Sequence, residues 1–483
     1  MSYLGVDLGT SGIRLLLTDD DGNPLASTER PLTVARPHPG WAEQDPAAWV
    51  MALDGAIDEL RAAHPAFGGL KAIAVAGHMH GATLLDEVGT PVRPCILWND
   101  TRSHAEASQM DALPVMRAQS GNIVFPGFTA PKLEWVRRNE PEVFARTARV
   151  LLPAAFLGLY LSGAYFSDRS DASGTSWLDV QTRDWSPDLL AAGAMRPDQM
   201  PRLVDGCQPA ATLRPELAAR WGLAGDVVIA GGAGDNAAAA CGIGALAEGQ
   251  GFVSLGTSGV LLVARDGCHP RPETAIHTFC HAVPGRWYQM GVMLSATDSL
   301  NWLSRLCGHA PAALVAALGQ SLRKPGRTRF YPYLAGERTP HNDAAIRGAF
   351  TGLEVATDTQ DLTHAVLEGV AFGLRDSAEA LRAAGAPLAP LYAIGGGAAS
   401  DYWLRLLATI LDVPLLRPQS AEFGAAFGAA RLARIAATGL PPESVIVPPE
   451  ACERIEPDAR LRPSFEAGYQ AFREAYGTLR ALP

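Results

Sequence analysis

A five-residue sequence, LGTSG, occurs twice in this chain, at 8–12 and at 255–259, each time between two runs of alternating apolar residues. In the first copy Leu4, Val6 and Leu8 precede the glycine turn and Ile13, Leu15 and Leu17 follow it. The second copy, FVSLGTSGVLLVARDG, has the same plan. Alternation on both sides of a Gly-rich turn predicts a strand, a loop and a second strand. Two copies about half a chain apart predict two lobes of similar plan, 1–245 and 246–483, divided near the Gly-rich 242–251 segment.

Alternating strand and helix patterns follow each copy. Strands are predicted at 72–76, 227–230 and 391–394, each running into a Gly or polar turn, and helices at 362–383 and 402–411, where apolar residues recur three and four apart. This alternation is an α/β pattern. Hydrophobic residues make up 48% of the 483 and charged residues 19%, which excludes wholesale disorder. Forty Lys and Arg against 50 Asp and Glu, with no long basic run, argue against a nucleic-acid partner. The seven Cys form no C-x-x-C pair, offer no metal spacing, and fit reduced thiols in a cytoplasm better than a disulfide framework. The start, MSYLGVDLGTSG, lacks the basic and apolar regions of a signal peptide. The most apolar stretch, 150–166, is broken by Pro153, Ser162 and Gly163, so no membrane is expected. A homodimer is compatible with the sequence, which carries no signal fixing the oligomeric state.

Glycine turns after strands bring backbone N–H groups close to a ligand, so Gly9, Thr10 and Ser11, and again Gly256, Thr257 and Ser258, suit phosphate oxygens. Asp7 beside the first loop suits the Mg2+ that accompanies ATP, directly or through water. A hairpin turn capped by Asp7 fits one copy equally well; the second copy tips the reading toward phosphate. Gly396 and Gly397 lie between a strand and a helix beginning near Asp401, where the backbone can approach a nucleotide, although a plain tight turn reads as well. Asp45-Pro46 reads as a helix cap followed by Pro at the first helical position.

Asp235 follows a strand and a glycine turn at the start of an Ala-rich helix, where it reads as an N-cap or as a general base for a hydroxyl. Gly232, Gly234 and Ala237 also satisfy the dinucleotide pattern G-x-G-x-x-A. Asp235 would push a carboxylate toward the pyrophosphate, and no acidic strand end follows about 20 residues on, so that pattern is rejected. The turn GHMHG, with Met79 and His80, and the loop WNDTR, with Asp100, offer the mixed donors and acceptors that a polyhydroxyl ligand needs. Satisfied structural histidines are the alternative there.

VDLGTSG, WAEQDP, GHMHGATLLD, ILWNDTR, PGFTAPKL, SDASGTSWLDV, AGDNAA, SLGTSG, YLAGERTPHND and GGGAASDYW occur in this order along nearly the whole chain. In that order they make the sequence resemble the FGGY family of carbohydrate kinases, and within it the branch acting on D-xylulose. The resemblance implies two ribonuclease-H-like lobes of the actin and sugar-kinase type, with sugar and ATP meeting in the interlobe cleft. It implies Asp235 as catalytic base, and Asp7 acting on metal and phosphates. Sugar binding falls to Met79, His80, Asp100 and Asn236, with Mg2+ at Asp7 and Asp235 and the nucleotide at Gly396 and Gly397. His78 stands where Gln is common before Met-His. A kinase for another ketose or polyol, or a non-catalytic sugar sensor, would share the fold.

Overall fold

The structure, a computed structural model, describes residues 1–419 and 424–482. The first LGTSG sits where expected, between β1 (Ser2–Leu8) and β2 (Gly12–Asp19), an antiparallel hairpin in which Leu8 faces Ile13. β3 (Pro24–Pro31) extends the hairpin on one side, and β4 (Leu70–Gly77) runs parallel to β1 on the other. β5 (Pro209–Thr212), β6 (Val228–Ala230) and the short β7 (Ala233–Gly234) complete a seven-stranded sheet of order 5-6-4-1-2-3, with β7 also paired to β4. β1 and β4 are buried on both faces, as strands sandwiched between helices must be.

The second LGTSG joins β8 (Gly251–Leu255) to β9 (Gly259–Arg265) in the same way. With β10 (His277–Cys280), β11 (Trp287–Met293), β12 (Leu391–Ile394), β13 (Leu415–Pro418) and β14 (Ala451–Ile455) they form a sheet of order 10-11-9-8-12-13-14. Strands 11-9-8-12-13-14 repeat the pairing senses of 3-2-1-4-6-5, namely antiparallel, antiparallel, parallel, parallel, antiparallel. The repeat read from ten residues thus extends to six strands in each lobe.

Four helices matter for the site. α1 (Asp235–Gly242) follows β7; α2 (Thr359–Ala383) and α3 (Asp401–Leu411) cover the second sheet; α4 (Ala425–Thr438) does not stay with its own half. α4 packs on β1 and on α1. A Cβ added to Gly5 would stand 1.8 Å from the Ala426 carbonyl oxygen, and one added to Gly428 would stand 1.7 Å from that of Ala238. One apolar cluster accordingly runs from Tyr3 and Ala74 through Ala237 and Ala429 to Phe252 and Tyr392, binding the two sheets through a small-residue helix layer. Asp45 caps the helix Pro46–Ala63 as expected, accepting from Ala47 N at 2.9 Å.

Candidate active site

Strand register brings the chemistry together. Asp7 on β1 and Ala233 on β7 are both paired with Ala76 of β4, one from each side, and Leu8 and Gly234 both pair with Gly77. The carboxyl ends of three parallel strands therefore stand side by side, where open α/β sheets bind ligands. β1 delivers Asp7 and the first LGTSG loop, β4 delivers Met79 and His80, and β7 delivers Asp235.

Asp235 is the first residue of α1, and Gly234 occupies the cap position. Its carboxylate accepts from the backbone N (2.7 Å) and the side-chain Nδ2 (2.9 Å) of Asn236 and from no N–H further along the helix, so the N-cap reading does not hold. Burial pushes its pKa up to about 6, against the pull of the Asn236 hydrogen bonds. Asp7 is pushed up to about 7 by burial and then by the Asp235 charge, with Arg14 opposing. The turn before Asp235 is not an open cradle: Gly232 has φ of +82°, and a Cβ there would lie 2.2 Å from the Val75 carbonyl oxygen. Gly232 packs closely on β4 and Gly234 on Met79, which accounts for the dinucleotide pattern without a dinucleotide.

A cavity of about 240 Å³ opens between the halves. Met79, His80, Trp98, Phe128, Asp235 and Asn236 line it from the first half, and Ser258, His277, Met290 and Arg338 from the second. His80 has φ of +70°, and its ring is stacked on Phe128 with centroids 4.5 Å apart. Nδ1 lies 2.7 Å from the Gly174 carbonyl. A carbonyl can only accept, so Nδ1 carries the proton and Nε2 is left as an acceptor. Burial, with Lys132 and Arg338 nearby, lowers the ring's pKa to about 3, keeping it neutral. The His80 carbonyl accepts from Lys132 Nζ (2.9 Å) and Thr129 Oγ1 (3.2 Å). Met79 packs against Gly234 and receives the Tyr288 hydroxyl at 3.7 Å on its sulfur.

Two of the polar residues near the cavity do something other than face it. His78 is buried with neither ring nitrogen bonded among the described residues, packs edge-on against Trp49, and is pushed down to about 3 by burial. Asp100 is buried and fully engaged. It accepts from Ala42 N (2.6 Å), Arg102 N and Nε (2.9 Å each) and Arg102 Nη2 (2.7 Å), so it shapes the WNDTR loop from behind. The loop's contribution to the cavity is Trp98, whose Nε1 donates to Thr10 Oγ1 at 2.9 Å and ties the cavity to the first glycine loop.

A second pocket, of about 670 Å³, lies in the second lobe between Thr297, Leu300 and Asn301 on one wall and Gly396, Gly397 and Ser400 on the other. The second LGTSG loop is pinned beside it. Gly256 O accepts from Thr297 N (2.9 Å) and Oγ1 (2.7 Å), Thr257 O accepts from Ala296 N (2.8 Å), and a Cβ on Gly395 would lie 2.8 Å from Leu255 O. Ser258, at the end of that loop, reaches the interlobe cavity. In the first loop Gly9 N donates to Gly12 O at 2.9 Å, and Ser11 is exposed.

Models of the FGGY family of carbohydrate kinases match residues 2–242 with their N-terminal domain and 251–437 with their C-terminal domain. The chain belongs to this family. It is 44% identical to a xylulose kinase of Escherichia coli K12, over 99% of each chain. Among solved structures, a "xyloylose kinase" from Brucella ovis superposes with a TM-score of 0.98 at 54% identity over all of both chains. A xylulose kinase from Rhodospirillum rubrum does so with 0.91 at 29% identity over 99% of each. The two-lobed α/β fold of the sugar kinases, expected from the repeat and the motif order, is the fold observed, and no helix among the described residues is long and apolar enough to cross a membrane.

In this FGGY chain the motifs also conceal residues to which the sequence assigned no role. The stretch SDRSDASG, 167–174, supplies Asp168 and Asp171 behind the base. Asp168 accepts from Ser170 N (2.7 Å), Asp171 N (3.1 Å) and Ser170 Oγ, while Ser170 Oγ receives Gly234 N at 3.1 Å, so this chain of bonds fixes the residue just before Asp235. Asp171 is buried with neither carboxylate oxygen bonded among the described residues, and burial with the Asp168 and Asp235 charges pushes its pKa well up. The sign follows. A folded pKa above the unfolded value means the native state binds the extra proton, so stability falls as pH rises above about 4. Asp171→Asn is therefore expected to raise the melting temperature at pH 8, by the equivalent of about 1–3 kcal/mol, and less at pH 5. Calorimetric melting at both values checks this, and equal shifts at the two would contradict it.

Proposed function

We propose that this chain transfers the γ-phosphoryl group of ATP to the terminal hydroxyl of D-xylulose, giving D-xylulose 5-phosphate and ADP in the cytoplasm. The observation that carries the reading is the interlobe cavity, in which a carboxylate with raised pKa meets a neutral histidine and an amide beside glycine loops from both halves. Resemblance over the full length to proteins named xylulose kinase supports the substrate.

In this reading residues 1–245 hold the sugar and the base, and 246–483 hold the nucleotide in the pocket at Gly396 and Gly397. Asp235 accepts the hydroxyl proton as the oxygen attacks phosphorus and the bond to ADP breaks. Asn236 holds the carboxylate by its Nδ2, leaving lone pairs for the substrate. His80 Nε2 accepts from a sugar hydroxyl, and Met79, Phe128 and Trp98 exclude water. Backbone N–H groups of Thr10 and Ser11, and of Gly256, Thr257 and Ser258, donate to phosphate oxygens, while Gly9, whose N–H closes the first loop on Gly12 O, lets the turn come close to them.

Mg2+ fits the residues present. Asp7 is a half-buried carboxylate raised by desolvation and then by a second carboxylate, Asp235, and no group of three or more ligating side chains exists among the described residues. That suits an ion that takes one or two carboxylates and completes its shell with phosphate and water. Asp7 and Asp235 would hold it, and its charge would neutralise the phosphates.

ADP release measured across ketoses and polyols tests the proposal. D-xylulose is expected to have the highest kcat/KM, and a clearly better substrate among the others would overturn the assignment. His80→Ala is expected to raise KM for D-xylulose by about 5- to 150-fold, the cost of one buried partner, with KM for ATP unchanged. A defect confined to ATP would remove His80 from the sugar site.

A further inference from the structure

The interlobe cavity contains a cation that the proposed reaction leaves without a task. Arg338 belongs to the loop ERTPHND, which is pinned by paired backbone bonds between Glu337 and Asp343, 2.8 Å in each direction. The Glu337 carboxylate makes its hydrogen bonds to backbone, accepting from Leu294 N (3.1 Å) and Arg338 N (2.8 Å), and acts on the guanidinium through its charge alone. Among the described residues the guanidinium has no ion pair and no hydrogen bond. Its support is the ring of Phe125, 3.9 Å beneath it. Arg338 therefore lines the cavity with its five donors unspent, held in place by stacking and a rigid loop.

The cavity is also polarised. Arg338 acts electrostatically on His80 and His277, whose rings burial holds neutral, and Asp235 on the same cavity is raised by burial against its Asn236 hydrogen bonds. The cation and the base carboxylate share one cavity, with no ion pair between them among the described residues. A linear ligand reaching both would present a hydroxyl to Asp235 and an oxygen-rich acceptor to Arg338.

We propose that Arg338 anchors the end of the substrate opposite the reacting hydroxyl, and that the cavity consequently binds five-carbon polyhydroxy acids, with the carboxylate in the guanidinium fork. A carboxylate matches the fork in geometry and charge, whereas a ketose carbonyl uses part of it and an alditol less. This rests on the reading of the cavity as the sugar site.

Calorimetry with D-xylonate, D-xylulose and xylitol on the full chain tests it. D-xylonate is expected to bind in competition with D-xylulose. Arg338→Gln should weaken D-xylonate by about 10- to 100-fold, D-xylulose less and xylitol least, and Arg338→Lys, which keeps the charge and loses the fork, should fall between. Normal D-xylulose binding with no D-xylonate binding to the parent would overturn the inference and leave the sugar site standing. So would D-xylonate binding that Arg338→Gln and Arg338→Lys leave unchanged. Arg338-dependent D-xylonate binding without any D-xylulose binding would instead overturn the D-xylulose reading and keep this one. Should the Gln variant fail to fold, the Lys variant and the competition with the parent decide.

Discussion

Asp235→Asn is expected to lower turnover by about 10²–10⁴, equivalent to roughly 3–5 kcal/mol of barrier, while D-xylulose and nucleotide bind as in the parent. The substitution keeps the shape and removes the proton acceptor, together with the charge Asp235 would offer Mg2+, so nucleotide binding is compared without the metal. Asn keeps the shape of Asp, and its carbonyl oxygen can still accept from Asn236 N, the bond that holds Asp235 now. Helix α1 needs nothing else from this side chain, because Gly234 fills the cap position. What Asn cannot do is take a proton from a hydroxyl near neutral pH. In the parent the pKa near 6 predicts kcat/KM falling as pH drops below about 6, since the protonated carboxyl is no base, with Asp7, raised to about 7, adding to the same acid limb. In the variant the part of that limb set by Asp235 should vanish from the residual activity. Turnover, calorimetric binding and a pH series on one preparation check this. A variant turning over within a few-fold of the parent would remove Asp235 as the base.

The legible parts of this fold are those where local chemistry and tertiary role coincide. The LGTSG hairpins were readable because alternation, glycine turns and repetition all point to one local structure, and the strands at 72–76 and 391–394 because buried parallel strands are apolar throughout. Asp235 could be singled out because a carboxylate among glycines and alanines has few other uses. Asp100 shows the limit. A loop carboxylate reads the same whether it faces a ligand or an arginine two residues on, and the arginine needed to tell them apart was in the motif itself, as WNDTR. Arg338 was equally visible in ERTPHND, but the sequence does not say that Glu337 accepts from backbone N–H groups and that its neighbour's guanidinium has no hydrogen bond among the described residues. The path of α4 was hidden for a different reason. Its stretch AAFGAARLARIAAT is helical by composition, yet small residues carry no mark of which sheet they will lie on.

The small residues of α4 set the second large effect, on stability. Gly428→Ala is expected to destabilise the protein by about 3 kcal/mol or more, above the usual cost of one extra methyl in a core. The new Cβ would meet the Ala238 carbonyl oxygen at 1.7 Å, its carbon at 2.7 Å and Gly242 N at 2.9 Å, all backbone of α1. Side chains swing aside, but helix backbone does not. Nor can α4 retreat freely, since its other face meets β1, where a Cβ on Gly5 would stand 1.8 Å from the Ala426 carbonyl oxygen. Relief must therefore come from moving α1, whose first residue is Asp235, so residual activity should suffer beyond the loss of folded protein. Gly477→Ala serves as the opposite control. It is exposed within the helix Arg462–Arg480, with nothing within 4 Å of an added Cβ, and replacing Gly by Ala in a helix interior should stabilise by about 0.5–1 kcal/mol. Melting temperatures of the two variants should thus move in opposite directions from the parent, with kcat of the folded fraction reduced in Gly428→Ala alone. If Gly428→Ala melts with the parent and keeps its kcat, the close α1–α4 contact is not what fixes the position of the base.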